Sequence, residues 1–86
     1  NTDDALHSKT WVVGVVLPDA QKAYTFDALA KVKQPFVDRI GDVEIRIEFD
    51  VVNQVARIWR DGKVLPSIQA YWFAWYAFYP DSEVMK

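Results

Sequence analysis

The side chains in this chain that could carry acid–base chemistry are few and widely separated. His7 is the only histidine among 86 residues, and it lies in a polar stretch near the N-terminus. Asp38 and Asp81 are the acids that could share a cleft with it. General acid–base catalysis needs at least two such groups within hydrogen-bond reach of one point. If these groups meet beside the aromatic segment near the C-terminus, they support a hydrolytic or ligand-processing enzyme.

Asp38 and Asp50 form a second possible pair, because they flank a predicted hairpin. Two close carboxylates act as acid and base or hold a hard cation. In a hairpin with a two-residue turn, however, Asp38 lies opposite Ile45, and Asp50 lies beyond the end of the strand. The spacing therefore favours ordinary roles, with Asp50 as a turn acid and Asp38 as an exposed or edge acid.

Other reaction chemistries have no residues to support them. The chain has no cysteine, which excludes disulfides, thiolate zinc sites and cysteine nucleophiles. A single histidine assembles neither a catalytic triad nor a histidine-based zinc site. The three glycines form no phosphate-binding loop. We therefore expect no metal and no cofactor, and we favour a protein that is not an enzyme.

Length and charge limit the remaining classes of function. Eighty-six residues make one domain, residues 1–86, with no room for a second core. The net charge is −2, and the basic residues are spread singly, so no cationic cluster is available for a phosphate backbone. Nucleic acid is therefore a poor candidate for a partner. The longest apolar run is too short to cross a bilayer, so membrane insertion is not expected.

The elements that must position these residues are mostly strands. Val43–Phe49 alternates strictly between apolar and charged residues, which indicates a strand with one wet face. A short helix over residues 26–31 is predicted to begin at a Thr25 cap. Further strands are expected over residues 10–16, 22–24, 36–40, 54–60 and 63–65. Because the connections are short, antiparallel pairing is favoured.

The predicted fold class is α+β. We expect a curved antiparallel sheet or small open barrel of five to six strands, with a short helix and a C-terminal aromatic helix. The aromatic helix is predicted to begin at a Ser67 cap, to run for roughly three turns and to stop at Pro80. It contains the segment Tyr71–Tyr79, in which seven of nine residues are aromatic.

The aromatic helix has two interpretations. A helix that is apolar nearly all round is normally buried, which makes it the core of a small domain. Alternatively, part of it is exposed as a protein interface, a self-association surface or a platform for stacking sugars. In that case Trp72, Trp75 and Tyr79 are the anchors, and Tyr24 and Asp81 are polar neighbours.

Four segments also resemble a family of bacterial and archaeal proteins known as domain of unknown function 3179. The closing segment Tyr71–Ser82 is similar to the family's Trp-Phe-Ala-Trp-x-x-Phe-x-Pro-Asp-Thr. Three segments earlier in the chain are also similar to family segments and occur in the same order. Those segments are His7–Val15, Ala23–Phe26 and Val37–Asp42. The match covers most of the chain. The resemblance implies the C-terminal portion of such a protein or a short stand-alone relative.

The chain also departs from the family pattern. Ser8 and Thr25 stand where prolines are usual, Val37 replaces an asparagine, and Asp42 replaces a second glycine. Longer members carry a Cys-Pro-x-Cys segment that this chain lacks. The resemblance implies an extracytoplasmic or periplasmic location, and it implies no reaction. Together with the residues above, it favours a non-catalytic binding or interaction module with a protein partner or a second copy.

Overall fold

The structure is a computed structural model that describes residues 6–86. It forms two four-stranded sheets and two short helices. In chain order the elements are β1 Trp11–Val16, β2 Gln21–Thr25, α1 Phe26–Lys31, β3 Phe36–Ile40, β4 Val43–Asp50, β5 Val55–Arg60, β6 Lys63–Leu65, β7 Ile68–Tyr71, α2 Trp72–Phe78 and β8 Glu83–Met85. The α+β class and the largely antiparallel pairing are as predicted. The strand count and the barrel are not, because eight strands form two sheets that do not close.

The second sheet is an antiparallel meander in the order β3-β4-β5-β6. Along β4 the apolar residues are buried and the charged residues between them are exposed, as the alternation predicts. The two shortest of its three hairpin turns use residues with positive φ: Gly41 at 60° between β3 and β4, and Asp61 and Gly62 at 52° and 76° between β5 and β6. The resulting register places Asp38 opposite Ile45, as expected.

The first sheet has the order β7-β1-β2-β8. Its β1–β2 and β1–β7 pairs are antiparallel, whereas β8 runs parallel to β2. Helix α1 follows β2 directly and begins where predicted, since the Thr25 hydroxyl accepts a hydrogen bond from the Ala28 N–H at 3.1 Å. Such a cap satisfies one of the helix's unpaired N–H groups.

The two sheets pack face to face, and α2 covers the other face of the first sheet. The main core lies between the sheets and takes side chains from both, among them Val13, Tyr24, Ile47 and Ile58. Alternate residues of β1 and β2 point to the opposite face, where Val12 and Ala23 form a smaller cluster with two tryptophans of α2. The molecule therefore has three layers: α2, the first sheet and the second sheet.

The C-terminal segment differs most from its prediction. Residues 68–71 form strand β7 on the edge of the first sheet, so α2 begins at Trp72 and spans only seven residues. Ser67 is not its cap; Tyr71 holds that position without a side-chain hydrogen bond. Pairing with β1 gives the backbone of β7 its partners, which local helix periodicity does not reveal. Strand β8 was likewise missed, because only its parallel pairing with β2 defines it.

Candidate interaction surface

Helix α2 places Trp72 and Trp75 in the core. The Trp75 side chain is 2% exposed, and Trp72 lies beside it in the cluster against the first sheet. Gly14 of β1 makes room for the ring, because a Cβ at that position would lie 2.0 Å from an atom of the Trp75 indole. The prediction that these two rings anchor a partner is therefore corrected: they hold α2 on the sheet.

The polar edge of Trp75 is also satisfied within the chain. Its indole N–H donates a hydrogen bond to the Ser82 hydroxyl at 2.8 Å, which ties α2 to the segment leading into β8. Tyr79 packs against the same indole with ring centroids 4.5 Å apart and is half-buried. Of the predicted anchors, Tyr79 is therefore the one that reaches the surface.

The opposite side of α2 is apolar and exposed. Phe73 is 55% exposed and Phe78 is 78% exposed. With 3.6 residues per turn, a helix that turns the Trp72 and Trp75 stripe inward must turn these two positions outward. Neither residue was among the predicted anchors. The helical spacing could have predicted their exposure, because it places both of them off the stripe that contains the tryptophans.

A groove of about 280 Å³ runs between α2 and β7. We call it the α2 groove and define it by its lining residues: Ile68, Ala70, Ala74, Trp75, Phe78 and Tyr79. Ile68 is 43% exposed at its rim. Ala70 of β7 and Ala74 of α2 contribute small side chains to its lining. It is an open, almost wholly apolar surface on an otherwise charged molecule.

The sequence around the α2 groove carries no charge. Charged residues make up 26% of the chain, yet none occurs from Pro66 to Pro80. Within α2 the first turn has no acid and the last turn has no base, so the helix ends lack the charges that usually complement a helix dipole. In other proteins, large contiguous apolar patches on the surface mark interaction sites.

A second group of aromatic rings lies beside the start of α2. Trp11 is close to both Phe26 and Tyr71, at centroid distances of 6.1 and 4.3 Å, and Tyr71 lies 6.0 Å from Phe73. This row leads from the core to the exposed Phe73 ring. It does not provide the parallel exposed tryptophan faces that a sugar-stacking platform requires, because Trp11 is the only tryptophan in it.

Tyr24 and Asp38 meet between the two sheets. Tyr24 is fully buried on β2, and its hydroxyl donates to Asp38 Oδ2 at 2.7 Å. Lys22 Nζ donates to the same oxygen at 2.8 Å. We call Lys22, Tyr24 and Asp38 the polar link. It joins β2 of the first sheet to β3 of the second. Asp38 lies on an edge strand, as one of its two expected roles has it, but its side chain is half-buried and structural and not exposed.

The electrostatics of the polar link match that structural role. Burial raises the pKa of the Tyr24 hydroxyl, and the hydrogen bond to the Asp38 carboxylate raises it further. Burial also raises the pKa of Asp38, but the hydrogen bonds from Lys22, Tyr24 and the Arg39 backbone outweigh it, so the pKa of Asp38 is lowered from its ordinary value. At neutral pH Asp38 is therefore a carboxylate and Tyr24 a neutral phenol.

The three side chains that the enzyme hypothesis requires, His7, Asp38 and Asp81, lie in different surroundings. Asp38 belongs to the polar link, on the face of the first sheet that is turned away from α2. His7 is exposed, and its Nδ1 accepts a hydrogen bond from the Lys9 N–H at 3.1 Å. Asp81 is exposed in the turn after α2. None of the three lines the α2 groove.

Asp50 also has a local structural role. Its carboxylate accepts hydrogen bonds from the N–H groups of Val52 and Asn53 and from the Asn53 side chain, as expected for a turn acid. Within residues 6–86, no group of three or more histidine, cysteine or acidic side chains is placed to hold a metal ion. No helix of the same part of the chain is long and apolar enough to cross a membrane.

Comparison of the chain with protein-family models, with curated proteins and with solved structures finds no match. Function is therefore inferred from the chain's own geometry.

Proposed function

We propose that this domain is a non-catalytic interaction module that binds a protein partner through the outer side of α2 and the α2 groove. The observation that carries the proposal is the exposure of Phe78 and Phe73 on a helix whose other side already completes the core. Because the tryptophans hold α2 in place, the two phenylalanines are not required to do so. Exposed large apolar side chains favour association.

The surroundings of Phe78 support a binding role. The ring stands at the rim of the α2 groove, beside Ile68 and the half-buried Tyr79. Rigid aromatic side chains next to an apolar depression are typical anchors of protein interfaces, where they fill pockets and exclude water. The absence of charge from Pro66 to Pro80 lowers the desolvation cost of covering this surface.

The hydrolytic or ligand-processing alternative lacks such support. It needs at least two of the three groups His7, Asp38 and Asp81 near one point, and Asp38 is already bonded to Lys22 and Tyr24. Membership of the family described above and an extracytoplasmic location stay predictions from the sequence. Both are compatible with an interaction module.

A photo-crosslinking experiment tests the proposal. Phe78→p-benzoylphenylalanine places a reactive aromatic ring at the groove rim without adding charge. Val52→p-benzoylphenylalanine, in the exposed β4–β5 connection, is the matched control. We expect position 78 to give a defined crosslinked protein, identified by mass spectrometry down to the crosslinked peptide, and position 52 to give none. The same products at both positions, or no product at position 78, contradict the proposal.

A further inference from the structure

The four edge strands of the two sheets differ in charge. In the described part of the chain these edges are β7 and β8 of the first sheet and β3 and β6 of the second. Three of them carry charged residues: Asp38 and Arg39 in β3, Lys63 in β6 and Glu83 in β8. Strand β7 reads Ile-Gln-Ala-Tyr and carries none. Because charged side chains on an edge strand prevent pairing with another chain, β7 is the unprotected edge.

The register of β7 leaves backbone groups available on its outer side. The Trp72 N–H donates to the Thr10 carbonyl at 2.8 Å, which fixes the alternation of hydrogen-bonded pairs along β1 and β7. Ile68 and Ala70 then direct their backbone groups towards β1. Gln69 directs its N–H and C=O away from β1, on a side where residues 6–86 add no further strand to the sheet. An added strand finds its hydrogen-bond partners there.

The surface beside this edge is complementary to itself. The α2 groove is an apolar depression, and Phe78 is an apolar projection at its rim. A two-fold interface needs the projection and the depression on one patch, because each copy must supply both. The patch is also uncharged, so two copies do not repel each other across it.

We propose that the partner at this surface is a second copy of the chain. The two β7 strands pair antiparallel about a two-fold axis centred near Gln69, and the two Gln69 backbones exchange hydrogen bonds. The first sheets of the two copies then form one continuous eight-stranded sheet, with both α2 helices on the same face. Each Phe78 ring lies against the α2 groove of the other copy. The inference rests on the proposed function, since it names the partner of the same surface.

The solution mass of three purified proteins tests this inference. Light scattering at about 100 μM detects any interface with a dissociation constant near 1 μM. The wild type is expected at twice the chain mass of 9.9 kDa. Ile68→Lys gives the unprotected edge the charge that the other edges carry, and it is expected at the monomer mass. Val64→Lys adds the same charge to an exposed position on the already charged edge β6, and it is expected to stay dimeric.

Each alternative outcome has a defined meaning. A monomeric wild type overturns the inference. A dimer that Val64→Lys separates and Ile68→Lys does not also overturns it, by placing the interface on the second sheet. Circular dichroism checks that Ile68→Lys is folded, and Phe78→Ser, expected to be a folded monomer, serves as the second variant. A monomeric wild type that still crosslinks another protein at position 78 overturns the second-copy assignment alone and leaves the proposed function standing.

Discussion

The two outer surfaces of this molecule differ in the side chains that they expose to solvent. On the second sheet, β4 turns Glu44, Arg46 and Glu48 to solvent, and the Trp59 indole between them donates to Glu48 Oε1 at 3.1 Å. On the first sheet, α2 turns Phe73 and Phe78 to solvent within a stretch, Pro66 to Pro80, that contains no charged residue. This difference is what we expect if the face formed by α2 is covered by a partner, as proposed above.

The largest loss of stability is expected from a substitution on the buried side of α2. Trp75→Ala removes a fully packed indole and leaves a cavity over Gly14, so it should lower the free energy of unfolding by about 3–5 kcal/mol. Urea denaturation followed by circular dichroism measures the loss. Gly14→Ala tests the same contact from the sheet side, since the added methyl meets the Trp75 ring. An unchanged free energy of unfolding in both variants contradicts the placement of Trp75 in the core.

The second largest loss of stability is expected at the polar link, which lies between the two sheets and belongs to neither outer surface. Asp38→Asn removes the carboxylate that accepts hydrogen bonds from Lys22 and Tyr24 and should cost about 1.5–3 kcal/mol. Lys22 is left half-buried without its counter-charge. The measurement is again the free energy of unfolding at neutral pH. Arg39→Ala, which disrupts an exposed ion pair with Glu44 and a 3.5 Å exposed hydrogen bond to the Asp42 carbonyl, is the control in the same strand and should change stability by less than about 1 kcal/mol.

The polar link also predicts how stability depends on pH. The folded-state pKa of Asp38 is lowered, so its contribution is present above the unfolded-state pKa and is lost as pH falls through the folded-state value. The wild type should therefore lose more stability than Asp38→Asn below about pH 4. Asp50, whose pKa is lowered by hydrogen bonds from Asn53, titrates in both proteins and cancels in the comparison. If the free energy of unfolding depends on pH equally in the two proteins, Asp38 does not stabilise the fold through the polar link.

A smaller effect is expected on the charged face. The Arg46 guanidinium lies over the Trp59 ring at 5.5 Å, and the pair is partly exposed. Arg46→Ala should lower the free energy of unfolding by about 0.5–1 kcal/mol, the range of exposed cation–π contacts. Urea denaturation under the same conditions checks it. A loss as large as that of Trp75→Ala would contradict this prediction, because it would show that the charged face contributes as much to stability as the buried side of α2.

Sequence patterns predicted the parts of the fold that local chemistry decides. Thr25 caps α1 through its own hydroxyl, the glycine-containing hairpin turns fix the meander, and β4 alternates as a half-buried strand must. Strand β7 could not be predicted in the same way, because its identity depends on pairing with β1. That distant pairing shortened the aromatic helix to residues 72–78.

The aromatic segment was predicted to be either core or exposed surface, and it contains both, since Trp72 and Trp75 face inward and two of its phenylalanines face outward. Which of its residues are exposed was not predicted. Composition cannot assign the two sides, because every ring is apolar. The position of the first sheet decides which stripe is buried, and Gly14, far away in sequence, is the residue that admits Trp75.

The central claim is that the outer side of α2 serves binding and its inner side serves folding. The most direct measurement is the free energy of unfolding of Phe78→Ser at a concentration where light scattering reports monomers for both proteins, since dimer formation would add apparent stability. We predict a value within about 0.5 kcal/mol of the wild type, as for an ordinary exposed position. A loss approaching that of Trp75→Ala contradicts the claim and makes Phe78 part of the core.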